Sequence, residues 1–171
     1  MKRLLMIPLV LLLALSIAAC AFGQNGIIEP VEFYYQCSAT PDSIPKAVIG
    51  SEIREATGHT GDLNYLLSLY LQGPLDPELQ SPFPAGCRLL SVTWNGDTLV
   101  VTLNAAITEA DQIQQTITSA CIAKTCLALT DVSQVQILAA APESANSLDM
   151  VITRDNLLLE DAAFHPTEEN P

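Results

Sequence analysis

The chain has 171 residues, 49% of them hydrophobic, with 19 acidic side chains against seven basic ones and a formal net charge of −12 at pH 7. So acidic a surface repels phosphate backbones, which excludes nucleic acid as a partner. The length accommodates one domain behind a targeting segment.

Residues 1–19 read as a signal peptide. Lys2 and Arg3 form a positive start, and Leu4 to Ala19 is apolar apart from Ser16. That run is shorter than the ~20 residues a membrane span needs, and no basic stop-transfer cluster follows it. It ends in Ile17-Ala18-Ala19-Cys20, which resembles the lipobox of bacterial lipoproteins. The resemblance implies that Cys20 is the lipidated mature N-terminus and that its acyl chains hold the protein on the outer face of the cytoplasmic membrane of a bacterium. The alternative is an ordinary secretory signal with an incidental cysteine. Cleavage would remove Lys2 and Arg3 and no acidic residue, leaving five basic against 19 acidic side chains, a net charge of −14. A surface of that sign is held off anionic lipid, so the acyl chains alone would be the tether. Residues 20–28, with Gly23 and Gly26, read as a flexible tether.

Val31 to Cys37 is aromatic and β-branched and predicts a strand. Lys46 to Thr57, interrupted by Gly50, predicts a bulged strand or extended segment. Leu63, Leu66, Leu67, Tyr70 and Leu71 recur at helical spacing behind Asp62, a natural N-cap. They predict an amphipathic helix of about three turns, ended by Gly73-Pro74. A stiff connector, LQGPLDPELQSPFPAG, follows from Leu71 to Gly86, with four prolines in sixteen residues. Two alternating strands come next, with Leu90, Val92 and Trp94 on one face of the first and Leu99, Val101 and Leu103 on one face of the second. Asn95-Gly96 is the expected hairpin turn. A second helix is expected from near Thr108 to Leu127, with Glu109 and Asp111 in its first turn. Ser133 to Ala140 predicts a strand, residues 141–160 a strand-like extension, and residues 161–171 a disordered acidic tail.

With Cys20 lipidated, Cys37, Cys87, Cys121 and Cys126 remain, an even number that permits disulfides in an exported chain. Cys121 and Cys126 are five apart on the second helix, about 140° around it, so they are poor partners for each other. Four free, buried thiols are the alternative. No CxxC is present and His59 and His165 are isolated, so no metal is expected. Three constellations bear on catalysis. Cys87 lacks a neighbouring base, His59 with Asp62 and Ser51 makes a triad only by accident of folding, and Asp76 with Glu78 lacks an aromatic groove for a sugar. No catalytic residue and no cofactor follow from the sequence.

The segments YLLSLYLQGP, SPFPAGCRLLSVTWNGDTLVVTLNAAI and TCLALTDVSQVQIL resemble the GerM (GerMN) domain of sporulation and spore germination proteins. The resemblance runs from about Val31 to Ala140 and is carried by Gly73-Pro74, Ser81-Pro82, Pro84, Gly86, Gly96 and the stretch from Val132 to Leu138. It implies an α+β fold over residues 29–140, a mixed or antiparallel sheet with two helices packed on one face, akin to ring-building motifs. It also implies a protein–protein interaction domain that is not an enzyme, with envelope proteins as partners and homo-oligomers open. GerMN chains with two tandem copies are known, and this one has a single copy. The expected function is a membrane-anchored scaffold or accessory factor in the cell envelope, in sporulation or germination. The alternative is a lipoprotein that binds peptidoglycan or a small ligand. The connector reads as a structural joint, or as a docking surface from Leu75 to Phe83.

Overall fold

The computed structural model describes residues 29–38, 47–140 and 147–157. The expected signal peptide, Cys20, the expected tether up to residue 28 and the tail from residue 161 lie outside them. Ten elements follow in order: β1 (Pro30–Cys37), β2 (Ile49–Glu55), α1 (Leu63–Tyr70), β3 (Leu79–Gln80), β4 (Leu89–Asn95), β5 (Thr98–Asn104), a 3-10 turn (Ala105–Glu109), α2 (Gln112–Leu129), β6 (Gln134–Ala140) and β7 (Asp149–Thr153). They form two sheets, an antiparallel β2-β1-β3 and a mixed β4-β5-β6-β7 in which only β5 and β6 run parallel. The α+β class expected from the sequence is what the chain adopts. The division into two sheets is the added detail, and β7, from the C-terminal extension, pairs with β6 and completes the larger one.

The long helix α2 explains the two sheets. A surface helix shows one apolar stripe, but from Thr118 to Leu127 α2 buries small and apolar side chains nearly all round, as a helix enclosed by other elements does. Ile122, Ala123, Cys126 and Leu127 join a core with Leu99, Val101, Leu103, Val135 and Ile137 of the larger sheet. Ala120 and Cys121 meet Ile49 of β2, so α2 packs against both sheets. Strand β1 is bare along one edge before β3 joins it, and its buried backbone needs partners there. The Tyr34 amide donates to Thr125 Oγ1 at 2.9 Å, and the Tyr34 carbonyl accepts from the Tyr70 hydroxyl at 2.7 Å. One residue from each helix thus completes the edge that no strand covers.

Local details depart from the sequence reading in four places. Helix α1 has eight residues, about two turns, because Leu71 and Gly73 already close its end. Helix α2 starts at Gln112 with Asp111 as its N-cap, accepting from the Gln114 amide at 2.8 Å, since the 3-10 turn takes up Ala105–Glu109. The hairpin turn is Gly96-Asp97, with Asn95 paired to Thr98 and Gly96 at φ 61°. A bulge between Leu89 and Ser91 turns Leu90 outward, leaving Leu89, Val92 and Trp94 opposite Leu103, Val101 and Leu99.

Burial in this core makes the fold sensitive to alkali. Desolvation pushes the Cys121 and Cys126 thiols from an ordinary 9.0 up to about 12, and it raises Tyr35 and Tyr70 well above the usual phenol value. A group raised on folding contributes stability that is complete below its unfolded pKa and is lost as pH rises toward the folded one. The urea midpoint, followed by circular dichroism with a reductant present, should be constant from about pH 7 to about pH 8.5. It should then fall steadily toward about pH 11, each coupled proton contributing about 1.4 kcal/mol per pH unit. An unchanged midpoint at about pH 10.5 would contradict this burial.

Candidate functional site

Strand β2 inverts the usual pattern. In SEIRE, alternation puts Ser51, Ile53 and Glu55 on one face and Glu52 and Arg54 on the other. The lone apolar residue, Ile53, is 74% exposed, whereas the side chains of Arg54 and Glu52 are 7% and 9% exposed. They form a salt bridge at 2.5 Å, and the guanidinium lies over the rings of Phe33 and Tyr35, 5.6 and 5.9 Å from their centroids. Removing two charges from water is costly unless every remaining donor and acceptor is used.

The connector supplies those partners. The Arg54 guanidinium donates to the carbonyls of Leu69 and Gly73, satisfying the end of α1 and the turn after it. Glu52 Oε2 accepts from the amides of Leu75 (2.9 Å) and Asp76 (3.0 Å). Tyr35 adds its hydroxyl to the Tyr70 carbonyl at 3.0 Å. Gly73 sits at φ 91°, a conformation that L side chains adopt only with strain. Further along, β3 pairs with β1 across Gln36 and Cys37, and the bare Gly50 leaves the space that Leu79 and Cys37 fill. The Pro82 carbonyl accepts from Gln114 Nε2 (2.8 Å) and the Thr118 hydroxyl (2.6 Å) of α2, and the Phe83 ring meets Tyr70 edge-on at 5.1 Å. Asn104 closes the connector, donating to the Gly86 carbonyl and accepting from the Arg88 amide, both at 2.9 Å. The stretch is a joint fastened at each step, and Leu75, 81% exposed, stands at its tip.

The outer face of the larger sheet is a second feature. Register places Thr93, Val100, Thr102, Gln134, Gln136, Leu138, Asp149 and Val151 on the side away from α2. Gln136 Nε2 donates to Asp149 Oδ1 at 2.8 Å, and Gln134 Nε2 donates to Thr98 Oγ1 at 2.5 Å. Asp149 is the one ionisable side chain at these paired outer positions, in a chain with 19 acidic residues. Depletion of charge is the compositional mark of the centre of a protein interface.

Residues 32–140 match the family model Germane, described as sporulation and spore germination. The chain belongs to the Germane family. Its fold is similar to that of the tandem GerMN domains of the sporulation protein GerM from Bacillus subtilis, with a TM-score of 0.50, 15% identity, and coverage of 71% of this chain and 43% of that one. The chain therefore spans less than half of that two-domain structure. A protein from Clostridium perfringens provisionally called a lipoprotein aligns at a TM-score of 0.46 and 18% identity, over 78% of this chain and 93% of that one. None of the curated proteins matches the chain.

Within this Germane domain the residues weighed for catalysis are dispersed in other roles. Asp62 caps α1 through the Tyr65 amide at 3.0 Å, His59 stacks on Tyr65 at 4.0 Å, and Ser51 lies on the outer side of β2. Asp76 accepts from the Glu78 amide at 2.8 Å and shapes its own turn. Cys87 is half-buried, its thiol pushed up to about 11 by desolvation. Cys37, Cys87, Cys121 and Cys126 are all free thiols. Among the described residues no group of three His, Cys, Asp or Glu side chains is placed to hold a metal ion, and no helix is long and apolar enough to cross a membrane.

The inverted strand makes a sharp prediction about the Germane fold. Arg54→Met should cost about 3 kcal/mol in urea unfolding, because it leaves the Glu52 carboxylate buried without its cation and takes one donor each from the Leu69 and Gly73 carbonyls. Ile53→Thr should change stability by less than about 0.5 kcal/mol. Comparable losses for both variants would contradict this assignment of inside and outside.

Proposed function

We propose that this Germane protein is a lipid-anchored, extracytoplasmic interaction module. Cys20 is the acylated residue after removal of residues 1–19, and the domain works by holding envelope proteins rather than by turning over a substrate. Its process is sporulation or germination, the description that the family carries. The observation that supports binding most directly is the charge-poor outer face of the larger sheet. Elsewhere an acid-coated domain must strip water from carboxylates before a partner can approach, whereas threonine, glutamine, valine and leucine side chains desolvate at low cost. The fastened connector supports the same reading, since a surface carried on rigid elements loses little entropy when a partner docks.

Two experiments test this proposal. Cys20→Ser should remain unprocessed or appear in the medium instead of the membrane fraction, as read by mass spectrometry and fractionation. Membrane retention of a processed, unacylated form would contradict the anchor. In cells carrying the anchored protein, Thr102→Arg/Gln136→Arg should reduce cross-linked capture of neighbouring envelope proteins about tenfold with thermal unfolding unchanged. Undiminished capture would contradict docking on this face.

A further inference from the structure

At the hairpin end of the molecule, away from the charge-poor face, lies a groove of about 440 Å³. Leu63, Leu129 and Val132 contribute its apolar lining, and the ring of Trp94, 60% exposed, flanks them. Asp97 and Asp131, both exposed, complete the wall. They stand on two separate turns, the β4–β5 hairpin and the segment after α2, which the Ser133 hydroxyl ties together by its 3.5 Å bond to the Asp97 carbonyl. Among the described residues no basic side chain lines the groove. Arg154, which reaches the same end of α2, donates to the carbonyls of Leu127 (2.8 Å) and Thr130 (3.1 Å) and caps the helix there.

We infer that this groove binds an arginine- or lysine-bearing segment of a partner protein. The inference goes beyond the anchored-module reading, because it concerns a different surface and needs no anchor. Long basic side chains are apolar along the stem and charged at the head. The stem fits the leucine and valine lining, the cation fits the face of Trp94, and the two carboxylates receive its donors. A neutral or acidic peptide gains nothing from Asp97 and Asp131 and must desolvate them. The charge of the whole domain adds steering of a basic segment toward the site.

Trp94 is the only tryptophan in the chain, so its emission reports on this groove alone. The full-length protein in detergent is titrated with acetyl-Gly-Arg-Gly-Arg-Gly-Arg-amide, with the matching glutamate peptide, and with chitotetraose. The arginine peptide should produce a saturable change in emission, and the other two should not. Asp97→Asn/Asp131→Asn should weaken the arginine peptide about tenfold, whereas Glu55→Gln/Glu109→Gln, which removes the same charge elsewhere, should leave its affinity within about twofold. Thermal unfolding of both variants should match that of the unaltered protein. No response to the arginine peptide would overturn the inference, as would equal weakening in both variants or a response confined to chitotetraose.

Discussion

The architecture depends on a buried ion pair that faces away from where sequence patterning would put it. Glu52 and Arg54 sit on the inner face of β2, and their charges are offset by backbone: one carbonyl at the end of α1 and one in the turn after it for the guanidinium, and two connector amides for the carboxylate. A buried pair is weak support for stability by itself, because desolvation consumes most of the attraction. Here it fixes a direction. The chain leaving α1 must turn at Gly73 and pass over the smaller sheet before it can reach the hairpin. Tyr70 then acts from both sides, its hydroxyl on the bare edge of β1 and its ring between Phe33, Tyr35 and Phe83. The two sheets share one core because this helix end and α2 are both held against β1.

Periodic elements were legible in the sequence wherever one side of an element meets water. Leu66, Leu67 and Tyr70 mark the buried side of α1, and Leu99, Val101 and Leu103 that of β5, as their spacing implies. The bulge at Leu90 and the one-residue shift of the hairpin turn escaped that reading, because register is set by cross-strand pairing with β5, which alternation alone does not specify. The start of α2 was misplaced for a similar reason. Asp111 and Glu109 are both good first-turn residues, and only Asp111 aims its carboxylate at a helical amide.

The polar anchors were less legible. Nothing local in SEIRE shows that Glu52 and Arg54 are buried, since their partners other than each other are backbone groups some twenty residues away. Thr118 and Thr125 resemble ordinary polar positions of a helix until the Pro82 carbonyl and the Tyr34 amide come to meet them. One signal was available: α2 lacks a clear polar face, which points to enclosure. The groove at Trp94 is a product of tertiary placement too, because Asp97 and Asp131 line one groove only once the hairpin turn lies beside the end of α2. Family membership, by contrast, is spread through the chain, in the Gly-Pro stop, the proline connector and the glycine turn, and those are the residues that the backbone path requires.

Glu52 holds the connector by its amides, and hydrogen exchange at single residues tests this most directly. In the native protein the Leu75 and Asp76 amides should exchange well below the rate of free peptide, although both residues lie on the surface. In Glu52→Ala their protection should fall about a hundredfold, while the Tyr34 amide, held by Thr125 on the far edge of β1, keeps its own. Leu75 and Asp76 amides that exchange freely in the unaltered protein, or that stay protected in Glu52→Ala, would contradict the account.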